Sequence, residues 1–195
     1  MYKKQLALQK FTCLLALVSS VVIFLYSLGI MTDLYDSLYS TMMNPADLTQ
    51  TDVPGSIIYY DMQAFNSTFL RYSIILILLG CLLYITNTHI RRRYYIGNWF
   101  AILVFAGANC YVAYWAHQNI ELFKAQFLQI DFEALKFHAD LWGTAYTEST
   151  FWFDVHYGVF GFALLVSLLL IIHIIWKGIL MRQEGKLIAA GRAMA

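Results

Sequence analysis

The stretch His89-Ile90-Arg91-Arg92-Arg93-Tyr94-Tyr95 decides how the rest of the chain is read. Its three adjacent arginines stand between two long uncharged runs, and such a cluster cannot enter hydrocarbon. By the positive-inside rule it keeps its turn on the cytoplasmic side and so fixes the path of the chain before and after it. Working outward, the apolar runs place four spans at about residues 11–31, 70–88, 96–117 and 153–176. Each is near the roughly 20 residues that cross a hydrocarbon core. The segments between them, residues 32–69 and 118–152, then lie outside.

Composition agrees with that reading. The chain has 195 residues, of which 60% are hydrophobic and only 13% charged, against roughly 25% charged in soluble domains. Four spans put Lys3, Lys4, Lys10, Arg91, Arg92, Arg93, Lys177, Arg182, Lys186 and Arg192 on the inner side with one acid, Glu184. Arg71, Lys124 and Lys136 fall on the other side with all the remaining acids, so the two sides carry +9 and −8, which add to the chain's +1. Only the basic half of that asymmetry sets topology. The expectation is a single all-helical, multi-pass domain over residues 1–195 in a cell membrane, most naturally the bacterial cytoplasmic membrane, with both termini cytoplasmic.

The first apolar run follows Lys3, Lys4 and Lys10, as a signal peptide would. A signal peptide has a shorter apolar region, roughly 7–15 residues, and a small-x-small cleavage site. Gly29-Ile30-Met31-Thr32 is a poor one, so the run is read as an uncleaved helix. Cys13, Cys81 and Cys110 all fall in apolar runs. The outer segments therefore cannot be stapled by disulfides, which argues against tetraspanin-like or claudin-like proteins.

Leu34, Leu38 and Met42 recur at helical spacing, predicting a short amphipathic helix at the interface. Ser56 is positioned to cap a second helix along which Ile58, Met62, Phe65, Phe69 and Tyr72 step by four and three, so that helix is expected to begin outside the membrane. The sequon Asn66-Ser67-Thr68 abuts a span and is read as chance. After the third span, Ile120, Phe123, Phe127, Ile130, Ala134, Phe137 and Leu141 continue the alternation of three and four, with Glu121, Lys124, Asp131, Glu133 and Lys136 at other positions. This is an apolar seam on a solvated helix. With no Gly or Pro between Gly107 and Gly143, one helix is predicted over about residues 97–142. It would be roughly 70 Å long and project from the membrane, in preference to a bend near His117-Gln118-Asn119 that lays the seam on the membrane surface. The seam needs a cover, either a partner chain or Ile58, Met62, Phe65 and Phe69 of the second helix.

Histidines are the first candidates for chemistry, because neutral imidazole is a common haem and metal ligand. Matching depths suggest an outer pair, His117 with His156, and an inner pair, His89 with His173. The spacing from His156 to His173 turns them about 100° apart on their helix, which disfavours two stacked haems. The expected roles are interface positions and an interhelical hydrogen bond from His173. Arg71 and Asp154 could pair at similar depth, Asn109 reads as helix-helix glue, and Gly107, Gly158 and Gly161 offer small surfaces for close helix approach. Phosphate loops, His-Glu-x-x-His and Cys-x-x-Cys are absent, as is any basic or aromatic surface for nucleic acid beyond what topology explains. No cofactor or metal is called for. The function expected is a non-catalytic subunit or accessory factor of a larger membrane assembly, such as a transporter, with lipid and a membrane-protein subunit as its partners. The alternatives are a haem b redox protein using those four histidines, and a stand-alone channel or transporter.

Overall fold

The computed structural model describes residues 2–30, 55–87, 95–143 and 147–193. The described residues form five helices and no strand: α1 (Tyr2–Gly29), α2 (Ser56–Asn87), α3 (Tyr95–Phe127), α4 (Phe132–Trp142) and α5 (Phe151–Ala193). Four of these are long and apolar enough to cross a membrane, over Gln5–Gly29, Ile57–Asn87, Gly97–Phe127 and Phe151–Ala190. The amphipathic helix expected around Leu34 and Leu38, the arginine turn and His89 lie outside the described residues.

The long helices stand in a ring in which α1 packs on α2, α2 on α3, α3 on α5 and α5 on α1. Two clusters fill the interior. Toward one end, Phe69 is the hub, with Tyr26 and Phe160 meeting its ring edge-on at 6.1 Å and Phe65 stacked at 5.6 Å. Toward the other end lie Cys13, Ala16, Leu83, Ile102, Phe105, Val166, Leu170 and Ile174. Helices that sit in lipid have no hydrophobic drive between them and are held by packing and ring geometry of this kind. Each well-placed aromatic pair contributes about 0.5–1.5 kcal/mol. Outside, Leu78, Ile85, Phe100 and Leu165 are more than half exposed. That apolar belt suits a multi-pass membrane protein and is unlike the surface of a soluble monomer.

The sequence offers Gly107, Gly158 and Gly161 for close approach inside this chain or against a partner, and among the described residues close approach within the chain occurs at other glycines. A Cβ at Gly107, Gly158 or Gly161 would meet nothing within 4 Å. At Gly80 it would lie 3.3 Å from the Leu17 backbone, and at Gly29 it would lie 2.7 Å from the Trp152 ring. Small residues matter where the ring of helices closes, and these two sit at the α1–α2 and α1–α5 contacts.

The second helix starts where its cap is expected, one residue displaced. Gly55, at φ 84, turns the chain, and its carbonyl accepts the Tyr59 N–H. The predicted 97–142 rod does not form, because the helix stops at Phe127. Gln129 and Ile130 bond back only three residues, to Gln126 and Phe127, and so tighten the last turn. Asp131 then caps a new helix, its side chain accepting from the Ala134 N–H at 3.1 Å. Aspartate offers the backbone this alternative without any Gly or Pro. The bend changes which residues of α4 face inward: Leu135 and Ala139 are buried, while Phe137 and Leu141 are 70% and 66% exposed. Gly143, at φ 65, ends α4 and donates its N–H to the Ala139 carbonyl.

Candidate functional site

Along the contact between α3 and α5, polar side chains recur from mid-helix to one end. Asn109 donates from Nδ2 to the Ala163 carbonyl at 2.9 Å and to Ser167 Oγ at 2.8 Å, the helix-helix glue its sequence position suggests. At the end of the contact, Lys124 Nζ donates to Asp154 Oδ1 at 2.5 Å, and Thr150 donates to the other carboxylate oxygen at 2.8 Å. The partner of Asp154 is thus Lys124 and not Arg71, whose side chain is exposed on α2. The α3–α5 contact puts Lys124 opposite Asp154, a rotation that depth alone does not give.

Between these two anchors, His117 and Glu121 lie four residues apart on α3, one turn and one face. The second turn of α5 brings His156 against them. His156 is 1% exposed, and its Nδ1 bonds the Phe153 carbonyl. A carbonyl only accepts, so Nδ1 carries the proton and Nε2 presents a lone pair to the cluster. His117 Nδ1 therefore donates to His156 Nε2, at 2.8 Å. Glu121 Oε1 accepts from the Tyr157 hydroxyl at 2.8 Å and lies 3.7 Å from His156 Nε2. The Tyr157 ring supports the arrangement from one side, 4.1 Å from the His156 ring. An open groove of about 330 Å³, lined by Cys110, Tyr114, Phe160 and Gly161 among others, runs past the two imidazoles.

The two histidines expected to pair at this end do meet, with ring centroids 5.0 Å apart. His173 lies toward the opposite end, where its Nε2 faces Gln5 Nε2 at 3.3 Å, the interhelical contact expected of it. That end has its own buried network. Gln9 donates to the Asn87 carbonyl, and its Oε1 accepts from Gln5 Nε2 and Lys177 Nζ, each at 3.2 Å. The interior is therefore more polar than the apolar runs suggest. The buried serines Ser19, Ser20, Ser27 and Ser73 bond carbonyls of their own helices.

Of the seam residues, Ile120, Phe123 and Phe127 are buried in the same cluster as Ile58, Met62, Phe65 and Phe69, and Ile130 packs against it half-buried. Phe65 and Phe123 meet at 5.5 Å. Phe137 and Leu141 are separated from this packing by the bend. The residues not singled out from sequence are Glu121 as part of a cluster, Tyr157, Gln5 and Gln9. Glu121 reads as one more acid on a solvated face; its signal was the step of four from His117. Gln5, Gln9 and Thr12 step by four and three into the start of the first apolar run, a stripe obscured by Lys10 between them.

No protein-family model matches the chain, and no curated protein or solved structure is significantly similar to it.

Proposed function

We propose that the chain is a non-catalytic integral membrane subunit or accessory factor of a larger membrane assembly, such as a transporter, which it joins through α4. The observation that carries this reading is that α4 is apolar on two opposite faces. Leu135 and Ala139 are spent on the chain's own core, while Phe137 and Leu141 point away from it. Another membrane-protein subunit is the occupant that suits this outward face, because Lys136, His138 and Asp140 alternate with the apolar residues and give polar surroundings. Orientation in the bacterial cytoplasmic membrane, with both termini cytoplasmic, is supported by charge. Lys10, Lys177, Arg182 and Lys186 gather where α1 begins and α5 continues past the network, and Glu121, Asp131, Glu133 and Asp154 gather at the other end.

Purification from the native membrane in mild detergent, followed by mass spectrometry, should find a stoichiometric partner. Phe137→Asp with Leu141→Asp should release that partner from a chain that stays folded, because both side chains are exposed. Phe127→Asp should instead unfold the bundle. A wild-type chain that purifies alone, or a partner that survives the double substitution, would sink the reading. The purified chain in liposomes should carry no ion or solute flux, because the interior serines are already bonded to their own helices.

A further inference from the structure

We propose that His117, Glu121 and His156 bind one divalent cation of the zinc class, clamping α3 to α5. The ligand atoms of the three residues all lie within 4.8 Å of one another. Two imidazole nitrogens and one carboxylate oxygen form a donor set that zinc and ferrous sites share. An ion with bonds of 2.0–2.2 Å in tetrahedral geometry spaces its ligand atoms about 3.4 Å apart. Two of the distances here, 2.8 Å between the histidine nitrogens and 3.7 Å from His156 to Glu121, bracket that value, and the third is within 4.8 Å. Admitting the ion therefore requires the two histidine nitrogens to move apart, within reach of side-chain rotation.

The surrounding residues are what a metal site needs. A ligating histidine almost always donates its other ring N–H to a carbonyl or carboxylate, and ligating carboxylates are themselves hydrogen-bonded. His156 has its Nδ1–H on the Phe153 carbonyl, leaving Nε2 free to coordinate, and Glu121 accepts from Tyr157. His117 needs only to change tautomer, giving up the Nδ1 proton that it now shares with His156. Lys124 is committed to Asp154, so the charge of Glu121 is left to the cation. Three protein ligands leave a fourth position, which opens toward the groove past the imidazoles.

The test uses the untagged full chain in mild detergent, stripped with chelator and titrated with zinc chloride while bound metal is counted by mass spectrometry. One zinc per chain is expected, with a rise in unfolding temperature. Cobalt(II) in its place should give the intense visible bands of a low-coordinate site. His156→Gln and His117→Gln should each weaken binding by at least about 100-fold, since even second-layer residues are worth 10–100-fold. Glu121→Gln, at a half-exposed position that leaves the histidine pair intact, should also weaken it and keep the fold. His173→Gln should change nothing. Equal zinc uptake by wild type and Glu121→Gln, or full competition by magnesium, would overturn the assignment. None of these readouts depends on a partner subunit, so the docking proposal can fail without affecting them.

Discussion

The two ends of the bundle each bury a histidine of α5, and the two imidazoles live in opposite chemical surroundings. His156 and His173 are 1% and 3% exposed. Around His156 stand the Glu121 carboxylate, the Phe153 carbonyl and the N–H of a second imidazole. Around His173 stand the Gln5 amide and, one turn along, the Lys177 ammonium, and its Nδ1 has no hydrogen-bond partner among the described residues. A carboxylate faces the first imidazole and an ammonium lies beside the second. Residue type, helix and burial are the same, so the difference lies wholly in what neighbouring helices bring.

Substitutions can break or sharpen that contrast. The largest effect is expected at the aromatic end, where Phe69→Ala should cost about 3–5 kcal/mol, as emptying a full core site does. Reversible unfolding in detergent would measure it, and a loss under 1 kcal/mol would mean that the Phe69 hub is not what holds this end. His156→Phe should cost about 2 kcal/mol, because it removes the side-chain bond to the Phe153 carbonyl and leaves the half-buried His117 N–H without its acceptor. Asn109→Leu, which cuts the bonds to Ala163 and Ser167 midway between the ends, should cost about 1 kcal/mol, in line with polar contacts between membrane helices. His173→Phe should be smallest, within about 0.5 kcal/mol of wild type, because it removes an orphaned nitrogen along with the Gln5 contact. If His173→Phe proved as damaging as His156→Phe in the same unfolding assay, the two ends would not differ as described.

The four long helices were legible because an apolar run of twenty residues has few alternatives. Their lengths were less so. α1 begins at Tyr2 and α5 runs to Ala193, well past the uncharged parts. Lysine, glutamine and arginine are good helix formers, so charge marks the edge of the apolar run and not the end of the helix. The bend after Phe127 carries no Gly or Pro to mark it, because Asp131 stops the rod by capping a new helix. That bend divides the seven-residue seam into a half that α2 covers and a half that faces outward. At the candidate site, matching depth was enough to pair His117 with His156. Choosing Lys124 over Arg71, and seeing Glu121 as a third member, required the rotation of α3 against α5, which periodicity alone does not supply.

α5 has no interruption between Phe151 and Ala193. The distance from His156 to the far tip is about 55 Å at 1.5 Å per residue, so a tilt of one degree at the imidazole swings the tip by about 1 Å. A spin label near Ala190 would therefore act as a pointer, amplifying angular adjustments too small to resolve where they originate.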